Sequence, residues 1–276
     1  MLVIPAVDVR GGRAVRLREG RADAETVFAH DPIAAALRWA GAGCERLHVV
    51  DLDGAFGQAR QTAVIADIIR AVAPIAVEVG GGLRDVAAIE SVLAAGARWA
   101  VVGTRAALDP AFLRDAGRAF GERLIVAVDA RGSRVAVKGW TEVIEETVAD
   151  VGRRARDAGA AELLYTDVSR DGMETGPNVE DTAALARAVE MPILASGGVA
   201  TVADLVRLAA IDGVRGTVVG RALYTGAIDL RAALSAVRSA VGARGSSDSS
   251  AGSAGATPNV RTVGGVGGSG ARSPRP

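Results

Sequence analysis

Ile4-Pro5-Ala6-Val7-Asp8 returns 121 positions later as Ile125-Val126-Ala127-Val128-Asp129, and Arg10, Gly11 and Arg13 recur at the same offset as Arg131, Gly132 and Arg134. Residues two apart in a strand share a face, so each copy puts Ile, Ala and Asp on one side. Asp51 matches Asp167, and Gly81-Gly82 match Gly197-Gly198, at an offset of 116, while Gly103 matches Gly220 at 117. Near-constant offsets over four elements mark a duplication, each half holding four βα units.

Besides the first, short apolar runs at 47–51, 75–79, 99–102, 124–129, 163–167, 193–195 and 217–219 read as strands. Apolar residues at helical spacing predict helices at about 33–41, 62–72, 148–158, 179–189, 201–210 and 230–241, with two more starting near Asp85 and at Asp109-Pro110. Eight strands alternating with eight helices call for a parallel sheet with right-handed crossovers. That is enough to close an α/β fold of the (β/α)8 TIM barrel type with internal half-barrel duplication. An open doubly wound sheet is the alternative, and the repeat counts against it. Apolar residues make up 49% of the 276 and aromatics only 3%, so the core must be Ala, Val, Leu and Ile, as buried parallel strands require. The expected organisation is a barrel over 1–243, with halves of about 1–120 and 121–243. Residues 244–276, rich in Gly, Ser, Ala and Pro without apolar period, read as a disordered tail. Gly11-Gly12 turns the chain into a loop or small hairpin through Val15-Arg16-Leu17.

With a formal net charge of zero and no basic run interleaved with aromatics, nucleic acid is not an expected partner. The single Cys44 excludes an internal disulfide or cysteine-rich metal site, and His30 and His48 stand too far apart to suggest a metal. His48 reads as a packed core residue and His30 as exposed. Without an apolar run of membrane length or a basic-flanked leader, a soluble cytoplasmic protein is expected, with no membrane contact. Lys138 is the only lysine, which leaves little scope for Schiff-base catalysis.

The loops after the strands of a closed barrel form one face, where reactive residues gather. Asp8 and Asp129 end their strands with the same inward parity, several residues from the next helix, and are the expected catalytic carboxylates. Ser196-Gly197-Gly198 and Gly220-Arg221 follow the seventh and eighth strands, and Gly80-Gly81-Gly82 with Gly103-Thr104 hold the equivalent place in the other half. Glycines there leave N–H groups open to phosphate, so two phosphate sites follow, although tight turns alone would also use them. A valine at Gly81 or Gly197 is accordingly expected to block phosphate while leaving the fold intact. A small ligand with a phosphate at each end would span the two carboxylates. Thr166 and Asp171 are placed for sugar hydroxyls, and Arg16 and Trp140 for gripping or stacking on a flat ring as a loop closes. Trp140 serves equally as a loop anchor, and Asp51 and Asp167 are either functional or structural.

Several stretches carry a resemblance: Ile4-Pro5-Ala6-Val7-Asp8, His48-Val49-Val50-Asp51-Leu52, Gly80-Gly81-Gly82-Leu83-Arg84, Gly139-Trp140, Thr166-Asp167-Val168-Ser169-Arg170-Asp171-Gly172, Ser196-Gly197-Gly198 and Val219-Gly220-Arg221-Ala222-Leu223. With these the chain, from Met1 to about Val241, resembles the phosphoribosylformimino aminoimidazole carboxamide ribotide isomerases of histidine biosynthesis. The resemblance implies an Amadori rearrangement of a bis-phosphorylated aminoaldose, with neither cofactor nor metal, by a monomer. It makes Asp8 the general base, Asp129 the general acid and Thr166 the residue that fixes the reacting sugar. Met173-Glu174 departs from the small residues expected after Asp171-Gly172, and the tail has no counterpart. The sister cyclase, which resembles a Cys-Leu-Asp-Val-Lys start, is disfavoured by Pro5-Ala6-Val7-Asp8-Val9. A relative that also rearranges phosphoribosylanthranilate, and a non-enzymatic phosphosugar-binding barrel, stay open.

Overall fold

The computed structural model describes residues 1–18 and 21–251. In chain order its strands are β1 (Leu2–Arg10), β2 (Arg13–Arg18), β3 (Arg21–Ala29), β4 (Arg46–Asp51), β5 (Ala76–Gly80), β6 (Trp99–Val102), β7 (Leu124–Arg131), β8 (Arg134–Val137), β9 (Glu142–Thr147), β10 (Glu162–Asp167), β11 (Ile193–Ser196) and β12 (Val214–Val219). The helices are α1 (Pro32–Gly41), α2 (Leu52–Ala55), α3 (Thr62–Val72), α4 (Val86–Ala94), α5 (Thr104–Leu108), α6 (Pro110–Phe120), α7 (Val148–Asp157), α8 (Val179–Val189), α9 (Val202–Ala209), α10 (Arg221–Tyr224) and α11 (Leu230–Ala251). Strands β1, β4, β5, β6, β7, β10, β11 and β12 pair in parallel in that order, and β12 returns to β1. The chain is the (β/α)8 barrel expected from its duplication.

Local chemistry starts the long helices where the sequence marks them. Asp31 accepts the Ile33 N–H ahead of Pro32, and Asp109 accepts those of Ala111 and Phe112 ahead of Pro110. Proline at the first helical position gives up an N–H that has no helical partner anyway. Thr201 and Asp204 form a reciprocal capping box at α9. Three short helices, α2, α5 and α10, lie in strand-end loops and have no apolar period that would have announced them.

The repeat extends beyond the barrel. β1 runs on into an antiparallel hairpin with β2 and β3, pairing Asp8 with Val15 and Arg10 with Arg13. β7 does the same with β8 and β9, pairing Asp129 with Ala136 and Arg131 with Arg134. Arg16 therefore sits in a strand of the first hairpin, and Trp140 lies in the turn between β8 and β9 of the second.

Two apolar clusters support the barrel. Ile4, Ala6, Val101, Ile125, Leu164, Leu194 and Val218 fill the lumen, while a larger cluster packs helices onto the outer faces of the strands. The strands are buried on both faces, which is why they read as continuous apolar runs. Below the lumen cluster lies a buried charged floor. Arg46 contacts Glu78, meets Glu162 at 2.6 Å and lies 3.8 Å from the centre of the Trp99 ring. Buried charges persist only when paired, and removing one partner costs about 3–5 kcal/mol. His48 is buried as expected, with Nδ1 2.5 Å from Glu78 Oε1.

Helix α11 runs past 241, where the apolar period ends. Arg244 at its far end donates to the Ala209 carbonyl (3.0 Å) and pairs with Asp212 (2.7 Å). The expected tail thus begins inside a helix, and 252–276 lie outside the described residues. Among the described residues no helix is long and apolar enough to cross a membrane, and no group of His, Cys, Asp and Glu is arranged to hold a metal ion.

Candidate active site

Asp8 and Asp129 continue the inward files of Ile4 and Ala6 and of Ile125 and Ala127. Asp8 is level with Val50 of β4, while Asp129 is level with Thr166 of β10, itself level with Ser196 of β11. The barrel thus brings Thr166 beside Asp129, as parity and strand position require.

The two carboxylates have different neighbours. Asp8 Oδ2 accepts from Arg16 Nη1 at 2.7 Å, in a pair whose side chains are only 13% and 11% exposed. Asp129 Oδ2 accepts from the indole Nε1 of Trp140 at 2.8 Å. Burial pushes the Asp129 carboxyl above the ordinary range, against hydrogen bonds from Trp140 and Thr166 and the field of His48. Trp140 is held at φ 69°, and Lys138 at φ 54°, in a left-handed conformation that costs a residue with a Cβ roughly 1–2 kcal/mol. Strain of this kind persists where surrounding contacts enforce it. Asp171, in the loop after β10, is pushed up to about 6, first by burial and then by Asp8 and Asp129, with Arg16 opposing. Arg16, Asp8, Asp129 and Asp171 thus form one electrostatic group.

The glycine loops obey the same twofold relation. Gly81 and Gly82 have φ of 97° and 71°, and Gly197 and Gly198 have 94° and 81°. A Cβ on Gly81 would stand 2.1 Å from the Asp51 carbonyl oxygen, and one on Gly197 2.6 Å from that of Asp167. A valine at either position therefore cannot leave the fold intact, contrary to expectation: these glycines are required by close backbone approach whatever they bind. Asp51 and Asp167 prove to organise loops. Asp51 accepts from the N–H groups of Gly54 and Gln61, and Asp167 from Ser169 and Asn178. Gly103 and Gly220 sit at the starts of α5 and α10, where neither offers a capping side chain.

One cleft collects Arg16, Asp171, Glu174, Ser196, Gly197, Gly198, Gly220 and Arg221. The guanidinium of Arg16 lies against Gly220, so it joins Asp8 to this cleft. Gly81, Gly82, Gly103 and Thr104 follow β5 and β6, on the opposite side of the mouth from β11 and β12. Two features went unread in the sequence. Glu174 enters the cleft and pairs with Arg221 at 3.1 Å. Arg46 and Glu78 form the floor below His48; charged residues inside apolar strands were the available signal.

A duplicated (β/α)8 barrel with twofold-related strand-end carboxylates at one mouth is laid out as a barrel enzyme. Residues 2–229 match the family described as histidine biosynthesis protein, and the chain belongs to that family. Several relatives bear the name 1-(5-phosphoribosyl)-5-((5-phosphoribosylamino)methylideneamino) imidazole-4-carboxamide isomerase. The one from Hahella chejuensis is 46% identical over 236 residues, covering 84% of this chain and 97% of its own. That of Desulfatibacillum aliphaticivorans is 47% identical over 244 residues (87% and 97%), and that of an Acidovorax species 44% over 247 (88% and 100%). The chain is an isomerase of histidine biosynthesis.

Proposed function

We propose that this chain converts the bis-phosphorylated aminoaldose named in its relatives (ProFAR) into the corresponding aminoketose (PRFAR), a cofactor-free Amadori rearrangement. The observation that carries the reading is the unequal setting of two equivalent carboxylates: Arg16 against Asp8, and burial with a neutral N–H donor at Asp129. An ion-paired carboxylate is the form that accepts a proton, and a buried carboxyl with raised proton affinity is the form that gives one.

Asp129 donates its proton to the ribose ring oxygen as the C1′–O bond breaks, leaving an iminium at C1′. Asp8 then takes the proton from C2′, and the electron pair of that bond forms the enolamine. Return of a proton to C1′ and loss of one from the C2′ hydroxyl gives the ketose, so no external oxidant or reductant enters. Thr166, level with Asp129, and Asp171 hold sugar hydroxyls, while Arg16 and Trp140 grip the substrate near the two carboxylates. Ser196, Gly197, Gly198, Gly220 and Arg221 hold one phosphate, and Gly81, Gly82, Gly103 and Thr104 the other. Anchoring both ends of the ligand places the reacting bond between acid and base, a large part of the barrier for such a reaction. The absence of a capping side chain at Gly103 and Gly220 supports this phosphate assignment, since helix-start N–H groups there lack a side-chain partner.

Asp8→Asn and Asp129→Asn test the reading on ProFAR. Each keeps the residue's shape but cannot exchange a proton, and each should lower kcat by about two to four orders of magnitude. Borohydride should trap an iminium in the Asp8 variant, which can still open the ring. Near-normal kcat in either variant would remove that residue from its role.

A further inference from the structure

Glu174 stands in the cleft assigned to one phosphate, yet it carries a negative charge. Its Oε1 is 3.1 Å from Arg221 Nε and 3.5 Å from Thr225 Oγ1. Glu174 has φ 52°, left-handed for a residue with a Cβ. The segment is tied on both sides. Arg170 Nη1 donates to the Gly176 carbonyl at 3.0 Å, and the Gly176 N–H donates to the Gly198 carbonyl at 2.8 Å. The loop between β10 and α8 is therefore fastened to the glycine turn after β11, with Glu174 directed at the arginine that opens α10. At the matching repeat offsets the first half has Gln58 and Thr104, so the other end of the mouth has neither this cation nor this anion.

We propose that Glu174 sets the affinity of this end of the site: it occupies Arg221 until a doubly charged phosphate monoester displaces it. The inference rests on the phosphate assignment given above. A carboxylate and a phosphate compete for the same guanidinium, and they repel each other if both remain. A phosphate monoester carries close to two charges at neutral pH and more acceptor oxygens than a carboxylate, so it wins this exchange. Glu174 thus lowers affinity for any anion that needs Arg221, so the pair sets how tightly this end of the ligand is held.

Glu174→Gln keeps the size and removes the charge. The variant should bind inorganic phosphate, measured by titration calorimetry, roughly three- to tenfold more tightly, the scale of a partly exposed ion pair together with relief of repulsion. It should lower KM for ProFAR in the same direction, and the effect should fall on KM rather than kcat. In an Arg221→Gln background the gain in phosphate affinity should shrink, because only the relief of repulsion remains. Unchanged or weakened phosphate binding in Glu174→Gln would overturn the proposal and make the pair a brace that orients Arg221. If Arg221→Gln alone leaves both KM and phosphate affinity unaltered, the phosphate assignment itself has failed. If Arg221→Gln weakens binding but Glu174→Gln does not strengthen it, only the role of Glu174 has failed.

Discussion

Adding one methyl group at Gly81 separates the two reasons a glycine can be indispensable. Gly81 has φ +97°, and a Cβ built there would lie 2.1 Å from the Asp51 carbonyl oxygen and 2.7 Å from its nitrogen. Gly57 has φ +80° with nothing within 4 Å of the equivalent position, so it carries the conformational cost without the collision. Gly57→Ala should therefore lose about 1–2 kcal/mol from the left-handed backbone alone. Gly81→Ala adds an overlap of more than 1 Å against backbone fixed by the Asp51 hydrogen bonds, and overpacking of this kind costs about 1–3 kcal/mol more. The sum, about 2–5 kcal/mol, corresponds to a fall of roughly 5–15 °C in Tm for a domain of this size. Urea unfolding of both variants, with equal m-values as the control for two-state behaviour, measures the difference directly. If the two variants agree within about 0.5 kcal/mol, close approach between the β5 turn and the Asp51 loop is not what requires glycine.

Three further outcomes follow from the site and its surroundings. Trp140→Phe removes a hydrogen bond that holds the Asp129 carboxyl down, so the alkaline limb of kcat, where the acid is lost, should move to higher pH; a limb that stays put or moves down would break the link between indole and acid. Asp171, pushed up to about 6 in the folded chain, binds more protons there than unfolded, so its contribution to stability falls as pH rises from about 4 through 6 and is constant above. Asp171→Asn should accordingly raise Tm at pH 8 and change it little at pH 4, and calorimetry showing an equal effect at both would contradict this. Removing 252–276, a stretch with few large apolar side chains, should leave Tm and turnover unchanged, whereas cutting before Arg244 should lower Tm through loss of its bonds to Ala209 and Asp212.

The barrel was legible because its information is local and repeated. Each apolar run lies where a strand forms, and the Asp-Pro pairs mark helix starts to the residue. The two strand-end carboxylates follow from parity and the repeat alone. The second hairpin was not read, because β9 is Glu142-Val143-Ile144-Glu145-Glu146-Thr147, too polar to stand out as a strand. Arg131, Gly132 and Arg134 nevertheless repeat Arg10, Gly11 and Arg13, so the hairpin at β2 already implied its twin. The charged floor was hidden for a different reason: Arg46, Glu78 and Glu162 come from three strands, and only barrel closure shows that their charges meet. Likewise nothing local announces that Glu174 faces Arg221, a partner that closure of the barrel brings to it.

Each strand-end carboxylate belongs to the same ribbon as the group that contacts it. β1 reaches Arg16 through one turn of Gly11-Gly12, and β7 reaches Trp140 through its own hairpin, so donor and recipient are joined by a short covalent path in both halves. A barrel made from two identical halves would present two indistinguishable aspartates and no direction for proton flow. On the proposed roles, part of the asymmetry that tells an acid from a base comes from what each ribbon contributes, a guanidinium on one and an indole on the other. The proposed division of labour between duplicated halves thus requires no new fold, no displaced strand and no change in the aspartates themselves.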